Sequence, residues 1–128
     1  MRDKAHQIKF PKSKMSSAII NLDDSQGTGT HWVAIVNDPK QTFIEYFDSY
    51  GMPPPLEALE LFRRHKRKPL FQDAQLQQTK SDYCGYFCAY YIAERAKGKS
   101  PHQVVYSLTQ KPSQQNEQMV SNYFSTNV

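Results

Sequence analysis

The sequence predicts a compact α+β domain, a small, mostly antiparallel sheet packed on a central helix that starts at Cys84. Three observations predict it. Apolar and β-branched residues alternate in two short runs, 31–37 (HWVAIVN) and 42–47 (TFIEYF), joined by the turn residues Asn37-Asp38-Pro39-Lys40. That is the pattern of a hairpin. From Cys84 the period changes: Cys84, Phe87, Cys88, Tyr91 and Ile92 recur at helical spacing and share one face. The length of 128 residues suits a single domain, 1–128, with one modest core, to which eight tyrosines and seven phenylalanines contribute.

The elements follow in order. Residues 1–14 form a polar, basic lead-in with the composition of a flexible segment. Residues 17–22 (SAIINL) are short and β-branched, a strand. Residues 23–30 (DDSQGTGT) are a loop; Gly27 and Gly29 lack the spacing of a phosphate-binding motif. The two hairpin strands come next. Pro53-Pro54-Pro55 then stops the chain, and residues 56–62 (LEALELF) read as a helix with Pro55 in its first turn and Leu56, Leu59 and Phe62 on one face. Residues 70–78 are a short strand or an extended connector. The central helix is expected from near Asp82, which can cap it, to about Ala96, with Gly98 as its C-cap. Ser100-Pro101-His102-Gln103 has the parts of a capping box, so Val104, Val105 and Leu108 are expected on a short final helix. Beyond Pro112 the chain is rich in Gln, Asn and Ser. Either Met119, Val120, Tyr123 and Phe124 dock on the core or the tail, 112–128, is loose.

Charge and cysteine usage narrow the function classes. The net charge is +4, and much of the excess lies in Arg63, Arg64, Lys66, Arg67 and Lys68. Such a run suits nucleic acid or an acidic protein surface, although a solvated helix end is its commoner role. No apolar run reaches the roughly eighteen residues of a membrane span, and the N-terminus has no apolar signal-peptide core. Cys84 and Cys88 lie four apart on the expected helix, poor geometry for a disulfide, which fits a reducing compartment. They lack a second close Cys or His pair, and His31, His65 and His102 are scattered, so no metal site is expected.

The chemistry centres on Cys84. In the first turn of a helix, free N–H groups and the helix dipole favour a thiolate. A buried core cysteine is an equal reading of that stretch alone. His31 starts one hairpin strand and Asp48 follows the other, so an antiparallel pair brings both to one sheet edge. A turn aspartate and an edge histidine, each satisfied locally, is the plainer reading. A thiol nucleophile needs a base, a group that orients the base, and donors where an oxyanion forms. Cys84, His31 and Asp48 fit the first three roles. The Cys84 N–H with Gln77 or Gln78 fits the last.

The segments Thr30-His31-Trp32-Val33, Phe47-Asp48-Ser49, an upstream glutamine, and Cys84-Gly85-Tyr86-Phe87-Cys88 stand in an order that resembles the adenovirus-protease and Ulp1-like cysteine peptidases. The resemblance covers Thr30 to about Glu94 and implies a papain-related fold. It implies His31 as general base, Asp48 as its acidic partner, a glutamine as oxyanion donor and Cys84 as nucleophile. Counting back as in viral members points to Gln77, and as in SUMO proteases to Gln78. Tyr83, between Asp82 and Cys84, departs from the Asp-Cys-Gly common in Ulp1-like enzymes. By analogy, Trp32 and Gly85 line a cleft for an extended peptide with glycine near the scissile bond. Only about thirty residues precede His31, which favours viral-type processing of structural or precursor proteins. Deconjugation of a ubiquitin-like modifier such as SUMO or NEDD8 is the alternative, and an inactive binding relative the third. No cofactor is expected, DNA or a protein or peptide partner is a candidate activator, and the setting is host cytoplasm, nucleus or virion.

Overall fold

A computed structural model describes residues 8–11, 13–22, 31–78 and 82–126. The expected glycine loop at 23–30, the first residues of the lead-in, Lys12, and the stretches 79–81 and 127–128 lie outside the described residues. Four strands, β1 (Ser16–Asn21), β2 (Trp32–Asn37), β3 (Phe43–Phe47) and β4 (Lys68–Phe71), form one sheet in the order β1-β2-β3-β4. β1 and β2 pair antiparallel, as do β2 and β3, while β3 and β4 are parallel. A parallel pair needs a crossover, which α1 (Leu56–Arg64) supplies. The chain then forms α2 (Cys84–Ala96), α3 (Pro101–Thr109) and α4 (Ser113–Thr126). Among the described residues no helix is long and apolar enough to cross a membrane.

The sheet is buried on both faces, and strand alternation sorts its side chains. Val33, Ile35, Ile44 and Tyr46 join Ile20 and the Ala58, Leu61 and Phe62 face of α1 in one cluster. Ala34, Val36 and Phe47 join Phe87, Cys88, Tyr90 and Tyr91 of α2, with Val104 and Leu108 of α3 and Val120 of α4. Glu45 alternates onto the α2 side as well. It is buried and takes two hydrogen bonds from Arg95 and one from Tyr91.

Three local expectations change. The leucines of α1 allow two helical stripes. Leu56 is 79% exposed and Leu59 partly so, while Ala58, Leu61 and Phe62 are buried. Small Ala58 lets that second stripe approach the sheet closely. Asp82 does not cap α2: the N-cap is Tyr83, without a side-chain cap bond, and Asp82 is exposed. The capping box of α3 is present, with Ser100 and Gln103 bonded reciprocally, but α3 is not the last helix. α4 follows, and Met119, Val120, Tyr123 and Phe124 pack on the core cluster. Pro69 sits in β4, at an edge of the sheet where a missing N–H is tolerated.

Gly51 matters for the site. Its φ is +76°, and a Cβ there would lie 2.6 Å from the Ala74 carbonyl oxygen. The turn after Asp48 can therefore pass closely under the connector that leads to Gln77. Gly51→Ala should destabilise the fold by more than about 1 kcal/mol, through both left-handed strain and the clash. A denaturant titration with an unchanged midpoint would contradict this.

Candidate active site

Extending the β2–β3 register places His31 and Asp48 at the same end of the sheet. There the imidazole Nε2 and Asp48 Oδ1 are 2.9 Å apart. Asp48 is 1% exposed. Oδ1 also accepts the Tyr50 N–H at 2.8 Å, which fixes the carboxylate against its own turn. The Asp48 carbonyl accepts from the Gly51 N–H and from Gln72 Nε2. The other ring nitrogen of His31, Nδ1, is buried and outside standard hydrogen-bond geometry with the described groups. It is the nitrogen left for Cys84, whose thiol is electrostatically coupled to this ring. Such contacts are often loose before substrate binds.

Cys84 is the first residue of α2 and is buried. The first turn has N–H groups without intrahelical acceptors. Burial alone would raise the thiol pKa. The His31 ring, with the backbone of Trp32 and of Gly85, brings it below its ordinary value instead. Burial likewise works to lower the His31 pKa, but the Asp48 carboxylate and the Cys84 thiol outweigh it and raise it to about 9. The two shifts have opposite signs and one outcome: both favour the thiolate–imidazolium pair. Cys88 is different. Burial first, then the neighbouring Cys84 and Asp48, pushes its pKa well up. Its neutral thiol donates to the Trp32 carbonyl at 3.4 Å, tying α2 to the start of β2.

The two glutamines separate clearly. Gln77 is fully buried; its Oε1 accepts the Ser49 hydroxyl, and its Nε2 donates to the Tyr50 hydroxyl at 3.3 Å. The Tyr50 ring lies 4.8 Å from the His31 ring, centroid to centroid. Gln77 is thus linked to the histidine through Tyr50. Gln78 is exposed, and its backbone N–H and its Nε2 both donate to Glu117 on α4. Ser49 enters the sequence reading only within the Phe47-Asp48-Ser49 segment, and Tyr50 and Gln72 are not among the expected site residues. Ser49 and Tyr50 directly follow Asp48, and that adjacency was the available signal.

Trp32 and Gly85 flank Cys84 and line an open groove with Asp82, Tyr86, Ala89 and Phe124. A Cβ at Gly85 would meet no neighbour, so that face of the helix is open. The basic run lies elsewhere. Lys68 pairs with Phe43, at the end of β3 away from Asp48. Arg63 pairs with Glu60. Arg67 donates to the Asp38 and Gln41 carbonyls, bracing the hairpin turn. Lys66 adopts a positive φ of 56° beyond α1. Arg64 stands in the last turn of α1.

No family model matches the chain. Among curated proteins, it is 34% identical over 88 residues to a protein named SUMO-1 cysteine protease in a South African tick isolate of African swine fever virus. The same figures hold for a Namibian warthog isolate and for the Vero-adapted Badajoz strain, where the protein is named cysteine protease. The match covers 60% of this chain and 32% of each viral protein, so the chain spans about a third of these relatives. The crystal structure of the African swine fever virus protease superposes with a TM-score of 0.59 at 25% identity, covering 81% of this chain and 41% of that one. Sequence and fold together relate the chain by homology to the African swine fever virus cysteine protease and, with it, to the adenovirus-protease and Ulp1-like cysteine peptidases.

Proposed function

We propose that the chain is a cysteine peptidase whose substrate is the C-terminal tail of a SUMO-like modifier. The observation that carries it is the junction of Cys84, His31 and Asp48, with pKa shifts that favour the ion pair, in a homologue of cysteine proteases. In the first step Cys84 Sγ attacks the carbonyl carbon, and the thiol proton is held on His31 Nδ1. The C–N bond then breaks and the amine leaves with that proton. Water attacks the thioester, His31 takes its proton, and the thiol is restored as the acid departs. Asp48 holds the ring through Nε2. Gln77, buried and linked to His31 through Tyr50, and the Cys84 N–H donate to the oxyanion, while Gln78 is exposed and turned to Glu117 on α4.

The matched protein carries the name SUMO-1 cysteine protease in three viral isolates, which supports deconjugation over precursor processing. Processing of viral precursors is the second reading, favoured by the viral origin of every one of these relatives. The test offers intact SUMO, NEDD8 and ubiquitin fusions alongside a Gly-Gly-containing peptide library. Cleavage of SUMO fusions supports the first reading. Cleavage of peptides alone supports the second, and neither, with a slow Cys84 thiol, supports a binding relative.

Two further outcomes are expected. Gln77→Ala should lower kcat by about 10²–10³, or roughly 2.7–4 kcal/mol, the cost of one oxyanion donor. Gln78→Ala should cost far less, and equal losses would undo the assignment. The pH profile of kcat/KM should be a bell. Its acid limb falls below the ordinary thiol range, because the Cys84 pKa is lowered. Its alkaline limb lies near 9, where His31 loses its proton. Asp48→Asn removes a group that raises the His31 pKa and should shift the alkaline limb to lower pH. A limb that stays in place would separate Asp48 from His31.

A further inference from the structure

Gln77 lies in a connector without regular structure, yet an oxyanion donor must be held to within a fraction of an ångström. Hydrogen bonds to two distant parts of the chain hold its backbone. On one side, the Leu76 and Gln77 N–H groups donate to the Ser49 carbonyl at 2.8 and 3.2 Å. On the other side stands α4. Asn116 Nδ2 donates to the Leu76 carbonyl at 3.2 Å and to the Leu108 carbonyl, near the end of α3, at 2.8 Å. Glu117 Oε2 accepts the Gln78 N–H at 2.7 Å, and its Oε1 accepts Gln78 Nε2 at 2.8 Å. Asn116 is 1% and Glu117 6% exposed. A buried carboxylate is costly to desolvate and is kept where its hydrogen bonds are made. These bonds fall on the residues immediately before and after Gln77.

We propose that Asn116 and Glu117 are positioning residues, a clamp on α4 that sets the backbone of 76–78 and so aims the Gln77 carboxamide at the oxyanion. The proposal rests on the peptidase reading above. The clamp acts from a helix far along the chain, so it couples the docking of α4 to turnover. It does not touch the thiol or the imidazole, so Cys84 should ionise as before.

The test is a double-mutant cycle of Glu117→Ala with Gln77→Ala, assayed on the modifier or peptide substrate that the chain cleaves. Glu117→Ala should lower kcat by about 10- to 100-fold, as expected when a reacting group is misplaced by about 1 Å. KM should change little, and iodoacetamide labelling of Cys84, which forms no oxyanion, should hold within about twofold. In the Gln77→Ala background the Glu117→Ala change should cost almost nothing more, because coupled residues are not additive. Glu117→Gln, which keeps one acceptor, should recover part of the rate. Hydrogen exchange gives a readout independent of turnover: the Leu76 and Gln77 amides should exchange about tenfold faster in Glu117→Ala, as local opening becomes easier. Additive losses, an unchanged kcat, or unchanged exchange at those amides would overturn the clamp. A Gln77→Ala protein with full kcat would instead remove the oxyanion assignment, and the clamp's catalytic role with it. An inert wild-type chain with a slow thiol would be the failure of the peptidase reading itself.

Discussion

Cys84→Ala should bring substrate cleavage down to the uncatalysed background, a loss on the order of 10⁶-fold in kcat, as when a nucleophile is removed from a nucleophile–base unit. His31→Ala should lose nearly as much, since nucleophile and base act as one unit and either deletion disables it. Asp48→Ala should lose less, because some orientation of the ring survives while the base remains. The Cys84 site is small and buried, so alanine removes only the sulfur and should leave the fold intact. A second measurement isolates the chemistry from binding. In the wild-type chain one thiol should label rapidly with iodoacetamide at neutral pH and the other hardly at all, because Cys84 is shifted down and Cys88 well up. Cys84→Ala should erase the fast phase and leave the slow one. Turnover persisting in a preparation of Cys84→Ala freed of contaminating protease would end the mechanism.

Why the meeting of His31 and Asp48 was legible, and the different surroundings of Gln77 and Gln78 were not, follows from what each depends on. The β2–β3 hairpin is written in a two-residue alternation and a turn. Once the pairing is antiparallel, the start of one strand and the end of the next must meet, so His31 and Asp48 are placed by arithmetic. Cys84 is placed by the onset of the helical period. Gln77 and Gln78 lie in a connector with no period, one position apart. What separates them is Ser49 and Tyr50 on one and Glu117 on the other. Glu117 comes 39 positions after Gln78, and no local pattern announces it. The same cause hid α4. Its sequence, SQQNEQMVSNYFST, is largely polar, and the positions that anchor it include the buried polar Asn116 and Glu117, satisfied by hydrogen bonds that only the folded chain supplies. The buried face of α1 was ambiguous for a different reason: leucines stand on both of its stripes, so periodicity gave two answers.

Arg95→Met should destabilise the protein by about 3–5 kcal/mol, the cost of breaking a buried ion pair and leaving one charge behind. Glu45 is 1% exposed in the middle strand segment of β3, facing α2. Arg95 Nε meets Oε1 and its terminal nitrogen meets Oε2, both at 2.7 Å, a bidentate pair. The Tyr91 hydroxyl adds a third donor at 2.5 Å, and burial together with Glu45 raises the pKa of that phenol. Arg95 also donates to the Lys99 carbonyl at 2.7 Å, closing the end of α2. The network joins β3, which runs into Asp48, to α2, which begins at Cys84. Its loss should therefore loosen the distance between Asp48 and Cys84 as well as the fold. Denaturant unfolding should show a lower midpoint with an unchanged slope, the sign of lost stability without a change in the surface exposed. The triple change Glu45→Leu, Tyr91→Phe and Arg95→Met removes donors and acceptor together. It should recover most of the lost stability, since apolar replacement of a buried polar cluster is often neutral or better. An Arg95→Met protein as stable as the wild type would mean that water reaches Glu45 and that the pair contributes little. A triple variant less stable than Arg95→Met would mean that the network's shape, more than its charge balance, fixes α2 against the sheet.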